Sequence, residues 1–262
     1  MQLGAGAPAR LNSQLFERFK ELADLITWRK SFSRLRVPPF ILFFFAIDLA
    51  LVIAHVLDYM AGNPSAILAR FLDLGREGNL PTWYSSVKWF AVAELLAIFA
   101  VRNFRLCRCK SWFLLMLPLI FLAFSLDEVA AVHERLGNKI NLILPGGSRQ
   151  NSLFHITGIW MFVIGVPFIT FFGVLIVMVK TYFRSVPDAL FKIIVGTAIT
   201  LGGAIGIETL ANFVGHNPTY GILQVISEEL CEMVGGTIAL WGSYDVLHRH
   251  RFAFTVDEVE LK

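Results

Sequence analysis

Six apolar stretches recur along the chain, approximately Phe40 to Tyr59, Trp83 to Val101, Trp112 to Val132, Leu153 to Val179, Leu190 to Phe213 and Ile222 to Leu247. Each reaches the roughly 18 residues a helix needs to cross a hydrocarbon core about 30 Å thick. The chain is 56% hydrophobic, with a mean hydropathy of +0.63 and 24 phenylalanines, which is too apolar for a soluble domain of 262 residues. The sequence therefore predicts an all-α integral membrane bundle of six transmembrane helices. Residues 1–39 form a basic, amphipathic cytoplasmic segment, 40–247 the membrane domain and 248–262 a cytoplasmic tail.

Before the first span, Leu11, Leu15, Phe19, Leu22 and Ile26 recur at helical spacing among Arg10, Arg18, Lys20, Arg29 and Lys30, the pattern of a helix lying on the membrane surface. Val37 to Pro39 then break it. Most of the 23 Lys and Arg fall before span one, between spans two and three, between spans four and five, and after span six. The exceptions are Arg70, Arg76, Lys88, Arg135, Lys139 and Arg149. Because cytoplasmic flanks retain basic residues, both termini are expected in the cytoplasm. The net charge of +3 then reflects topology, and no nucleic acid is expected as a partner. Cys107 and Cys109 fall in a loop assigned to the reducing side, and Cys231 reads as a packing residue.

Ionisable residues within the spans crowd toward the extracytoplasmic half. Asp127 and Glu128, with His133 and Glu134, close span three in SLDEVAAVHERLG, and Glu228, Glu229 and Glu232 sit in SEELCE of span six. Glu208 ends span five, His155 opens span four, and His55 with Asp58 lies late in span one. On a continuous helix Asp127 and Glu134 share a stripe across Ala130 and Ala131. Gly202 and Gly206 supply a face of small residues for close approach of a neighbour. The inner half reads as apolar, with only hydroxyls such as Thr197, Thr200, Thr237 and Ser243 in spans five and six.

An ionised carboxylate in lipid costs several kcal/mol, and these acids have almost no buried base within reach beyond Lys88 and Arg135. Protons or metal cations must offset the charge. Carboxylates mixed with imidazoles from several helices are how dinuclear iron or manganese sites and single zinc sites are built. The expected ligands are Asp127, Glu128, His133, Glu134, Glu208, Glu228, Glu229, Glu232, His55 and His155, with Glu134 and Glu228 as catalytic candidates. For a lone acid such as Asp48 or Glu94, an interhelical hydrogen bond is the plainer reading.

The motifs LDE-x4-HE (Leu126 to Glu134) and EE-x2-E (Glu228 to Glu232), with LFH and GGAIGIETL between them, resemble a group of uncharacterised bacterial inner-membrane proteins. The resemblance covers about Trp112 to Leu247. It implies a bacterial inner (plasma) membrane location and acids that act as a set, and it implies no reaction.

A transporter needs polar groups leading to both faces, whereas an enzyme acting on lipid needs a site open to one. The one-sided polarity favours a metal-dependent membrane enzyme, a hydrolase or an oxidoreductase, with iron, manganese or zinc and a lipid or lipophilic substrate. A divalent cation or proton-coupled transporter is the alternative. Oligomeric state is not legible.

Overall fold

A computed structural model describes residues 37–62, 66–106, 112–144, 147–214 and 218–260. The expected amphipathic N-terminal helix, Cys107 and Cys109 lie outside these residues. The described residues are helical with no strand, as lipid requires of a chain whose backbone groups must pair within their own segment. In order they form α1 (Pro39–Met60), α2 (Ala66–Leu72), α3 (Leu80–Leu106), α4 (Trp112–Ala130), α5 (Val132–Ile140), α6 (Val166–Val179), α7 (Pro187–Leu201), α8 (Glu208–Ala211) and α9 (Pro218–Glu260). A π-helical turn, Met161–Gly165, leads into α6, and a second, Gly202–Ile207, joins α7 to α8.

Among the described residues, five helical stretches are long and apolar enough to cross a membrane: Pro39–Met60, Leu80–Asn103, Trp112–Ala130, Met161–Phe183 and Pro187–Ala211. α9 is not among them, because Glu228, Glu229, Glu232 and Asp245 dilute its apolar character. Its 43 residues would run about 65 Å, twice the thickness of a hydrocarbon core.

α9 is the axis of the bundle, packing most extensively against α7 and also against α3, α1 and the Gly202–Ile207 turn, while α3 pairs with α4. Glycines permit the α7–α9 contact. A Cβ on Gly235 would lie 2.5 Å from the Gly196 carbonyl oxygen, and one on Gly242 would lie 2.7 Å from that of Ala189. A Cβ on Gly203 would lie 2.8 Å from Cys231 Cβ. Gly196 and Gly203, like Gly235 and Gly242, are seven apart and so share a helix face. The close-approach face thus differs from the expected one: Gly202 and Gly206 are exposed, and a Cβ on either would meet nothing within 4 Å.

Two further expectations are corrected. Span three does not continue to Val132: Ala131 takes a left-handed conformation, φ 45°, and the chain turns from α4 into α5. Span four does not begin at Leu153. Asn212 Oδ1 accepts from the Ile156 N–H at 2.9 Å and its Nδ2 donates to Thr157 Oγ1 at 2.8 Å, while Asn141 Oδ1 accepts from the Ile159 N–H at 3.3 Å. These bonds hold residues 153–157 as turns. Gly158, φ 81°, lies so close to the Asn141 amide that no side chain fits.

The glycine seam yields a prediction. Gly235→Val should force α7 and α9 apart and destabilise the bundle by more than about 2 kcal/mol, read as a lowered midpoint of thermal unfolding in detergent. Gly202→Ala, placed in open space, should leave that midpoint unchanged or raised.

Candidate functional site

Where α4 breaks, one carboxylate does two things. Asp127 Oδ1 accepts the His133 backbone N–H at 2.8 Å, satisfying a donor left free at the start of α5, and Oδ2 lies 2.7 Å from His133 Nδ1. The left-handed Ala131 costs on the order of 1 kcal/mol, and it swings His133 back over Asp127. With Nδ1 committed to the carboxylate, the outward nitrogen of the ring is Nε2. The ring packs against Trp160, centroids 4.9 Å apart, and Trp160 in turn abuts Gly137, where a Cβ would approach within 3.0 Å.

Carboxylates surround this dyad. His133 lies in electrostatic range of Glu77, Glu128, Glu208 and Glu228, and Glu134 in range of Glu77, Glu208 and Glu228. Glu128, Glu228, Glu229 and Glu232 interact among themselves. Of the expected residues, then, Asp127, Glu128, His133, Glu134, Glu208, Glu228, Glu229 and Glu232 form one connected group at one end of the bundle. The group draws on α4, α5, α8 and α9. Asp127 and Glu134 are not a stripe on one helix, because the Ala131 turn separates them; Glu134 stands exposed on α5. One oxygen of Glu208 is buried without a hydrogen-bond partner, as is one of Asp58.

The two remaining histidines are placed differently. His55 faces the α2–α3 connection, accepting the Leu74 N–H at Nδ1 (3.3 Å), with Asp73 at 3.9 Å. His155 sits in the turns before α6 rather than on the first turn of a span. Among the described residues, no three His, Cys, Asp or Glu side chains come close enough together to hold one metal ion.

Sequence reasoning missed Glu77, which lies in the polar turn between α2 and α3 with no spacing to mark it. The residue is exposed, yet protein crowded about its carboxyl, and then the nearby Glu134, push it up from 4.5 to about 7. Burial opposes charge on His133, but the Asp127 carboxylate, reinforced by Glu208 and Glu134, outweighs it and raises the imidazole from 6.5 to about 9. At neutral pH the imidazolium is a cation set among these acids.

Lys88, although in electrostatic range of Glu128, is held by Asp48. It is 1% exposed, as is Asp48, and donates to Asp48 Oδ1 at 2.8 Å and to the Met233 carbonyl at 2.8 Å. Thr237 Oγ1 donates to Asp48 Oδ2 at 2.7 Å. The opposite end is not purely hydroxylic, contrary to expectation. Lys192 is buried in an ion pair with Asp245, with Asp188 at 3.8 Å and the Trp241 ring at 4.0 Å, and Arg249 reaches Asp188 at 2.5 Å. Here two bases answer two acids.

A family model described as a domain of unknown function, DUF8692, matches residues 42–247. No curated protein and no solved structure matches the chain.

The dyad makes a pH prediction. A folded imidazole raised from 6.5 to about 9 adds stability that is whole below pH 6.5 and is lost as pH rises through about 9. Glu77, raised from 4.5 to about 7, opposes folding increasingly as pH rises through that lower window. Asp127→Asn should flatten the upper part of the decline and Glu77→Gln the lower part, measured as unfolding midpoint against pH. His133 ring resonances should titrate near 9 in the parent and well below that in Asp127→Asn.

Proposed function

The chain belongs to the DUF8692 family, and from the geometry of its acid cluster we propose that it is a membrane-embedded enzyme acting on a lipid or lipophilic substrate. The observation that carries this reading is the Asp127–His133 dyad, with carboxylates from several helices in electrostatic range of its ring. The two titrating groups are separated in the way acid–base chemistry uses: an imidazolium able to donate a proton and, in Glu77, a carboxylate poised near neutrality to accept one. Glu134 and Glu228 line the same site and are the further catalytic candidates.

The proposal keeps a divalent ion, iron, manganese or zinc, as one source of the positive charge the cluster needs. The donors fit in kind, being carboxylates and an imidazole. Their spacing among the described residues does not gather three of them around one point. A metal ion on His133 would take the place of the Nε2 proton while Asp127 keeps its bond to Nδ1, and loading would improve as pH rises.

The topological part of the proposal is that α9 forms a sixth crossing. The Lys and Arg distribution supports cytoplasmic termini, with the acid cluster facing outward from a bacterial inner membrane. A second reading, divalent cation or proton-coupled transport, is supported by the buried polar groups spaced along α9: the glutamates at 228 to 232, Thr237 beside Lys88 and Asp48, and Asp245 beside Lys192. The tight α7–α9 seam speaks against a wet path between those two helices.

The test is to incubate the purified protein with a bacterial lipid extract and follow lipid composition by mass spectrometry. The parent protein should convert at least one lipid class, and His133→Gln should lower the rate by about a hundredfold or more, while binding of the family fold to detergent and its helicity stay unchanged. Elemental analysis of protein purified without chelators should find iron, manganese or zinc, reduced by Glu229→Gln with Glu232→Gln. Protein that converts no lipid, but moves protons or cations across vesicles, would replace the enzyme reading with transport.

A further inference from the structure

Beside the acid cluster, between the end of α8 and the first turns of α9, lies a cavity of about 540 Å³. This falls in the range of small-molecule sites. Its wall is apolar, with Ile207, Leu210, Ala211, Val214 and Leu223, and it contains no charged side chain. Leu210, Val214 and Leu223 are exposed, so the cavity opens on the side of the bundle that apolar residues cover. Its polar groups are Tyr220, Ser227 and Gln224; the Gln224 side chain hydrogen-bonds Glu228, which lies in range of Glu208 and Glu134. An apolar trough therefore ends at a group of carboxylates with no lysine or arginine in its wall.

We propose that this cavity holds the tail of a cationic amphiphile, a long-chain primary amine or an amine-bearing lipid, whose ammonium group meets Glu228 and Glu208. The inference rests on the reading of the acid cluster as a site for lipophilic substrates and names their class. Charge complementarity selects the occupant. An anionic head would meet several carboxyl groups against the His133 imidazolium and Arg149, whereas an ammonium adds counter-charge and up to three donors, one of them for the Glu208 oxygen that has no hydrogen-bond partner. The tail length follows from the trough, since a head group alone would leave its apolar wall uncovered.

The test uses the full chain in discs of zwitterionic lipid and a dodecylamine bearing a terminal diazirine. After photolysis, label should concentrate on peptides carrying Leu210, Val214 and Leu223. Dodecylamine should compete at about one-tenth the concentration that dodecanoate requires, a difference of about 1.4 kcal/mol, and butylamine should compete poorly. Glu228→Gln should bring the amine and the carboxylate together while tail labelling persists. Gly221 also lines the cavity, and a Cβ there meets nothing within 4 Å; Gly221→Leu should therefore cut labelling about tenfold without disturbing the fold. Equal competition by dodecanoate, or label spread evenly over lipid-facing positions such as Phe43 and Val174, would overturn the proposal. Selective amine labelling on a protein that converts no lipid would leave the groove standing and remove the enzyme reading alone.

Discussion

A buried lysine joins three helices. Lys88 of α3 meets Asp48 of α1 and the Met233 carbonyl of α9, and Thr237 of α9 closes the ring on Asp48. An ammonium and a carboxylate in such a place are tolerable only as a pair with further hydrogen bonds, and removing one partner from a buried pair typically costs about 3–5 kcal/mol. The network therefore sets the register of α9 against α1 and α3. It also places Glu232, the residue before Met233, and Glu229 and Glu228 a turn beyond, at the end of the bundle where α4 breaks. Because Asp48 claims Lys88 for itself, those acids are left without a lysine of their own.

The two ends of the bundle are then electrostatically unlike. At one end Lys192 and Arg249 answer Asp188 and Asp245, an arrangement that needs nothing from outside. At the other, eight acids from five chain segments, among them Glu77, meet the His133 imidazolium, with Arg149 in range of Glu208 and Lys88 in range of Glu128. The first kind of cluster is a structural fastening. The second has more acids than bases, and such a site beside an apolar trough is suited to a ligand that brings both a cation and a tail.

Much of this was legible in the sequence. The positions of the apolar runs followed from length alone, and the acids of SLDEVAAVHERLG, GIETL and SEELCE were marked because ionised groups are rare in such runs. Their convergence was also readable, since the direction of each crossing places their ends together. What misled was the assumption of helical continuity. The stripe from Asp127 to Glu134 presumed an unbroken helix, and nothing in Ala130–Ala131 signals a left-handed residue. Its cause is Asp127 itself, whose carboxylate repays the turn by capping α5 and holding His133. Gly202 and Gly206 were likewise read at ideal helical spacing, and the π-helical turn over Gly202–Ile207 is associated with a different close-packed set.

The sequence by itself determined that this is a helical membrane protein with acids gathered toward one end, because transfer of apolar and charged groups between water and lipid depends on composition and order alone. Tertiary structure decided which charges cancel. Lys88, the one buried base the sequence offered to the acids, pairs chiefly with Asp48; Lys192 and Asp245, which nothing in the sequence joined, bury one another; and Glu77, which no spacing marked, borders the site. Pairing energies vary steeply with distance over a few ångströms, and distances between residues far apart in the chain exist only once the helices have packed.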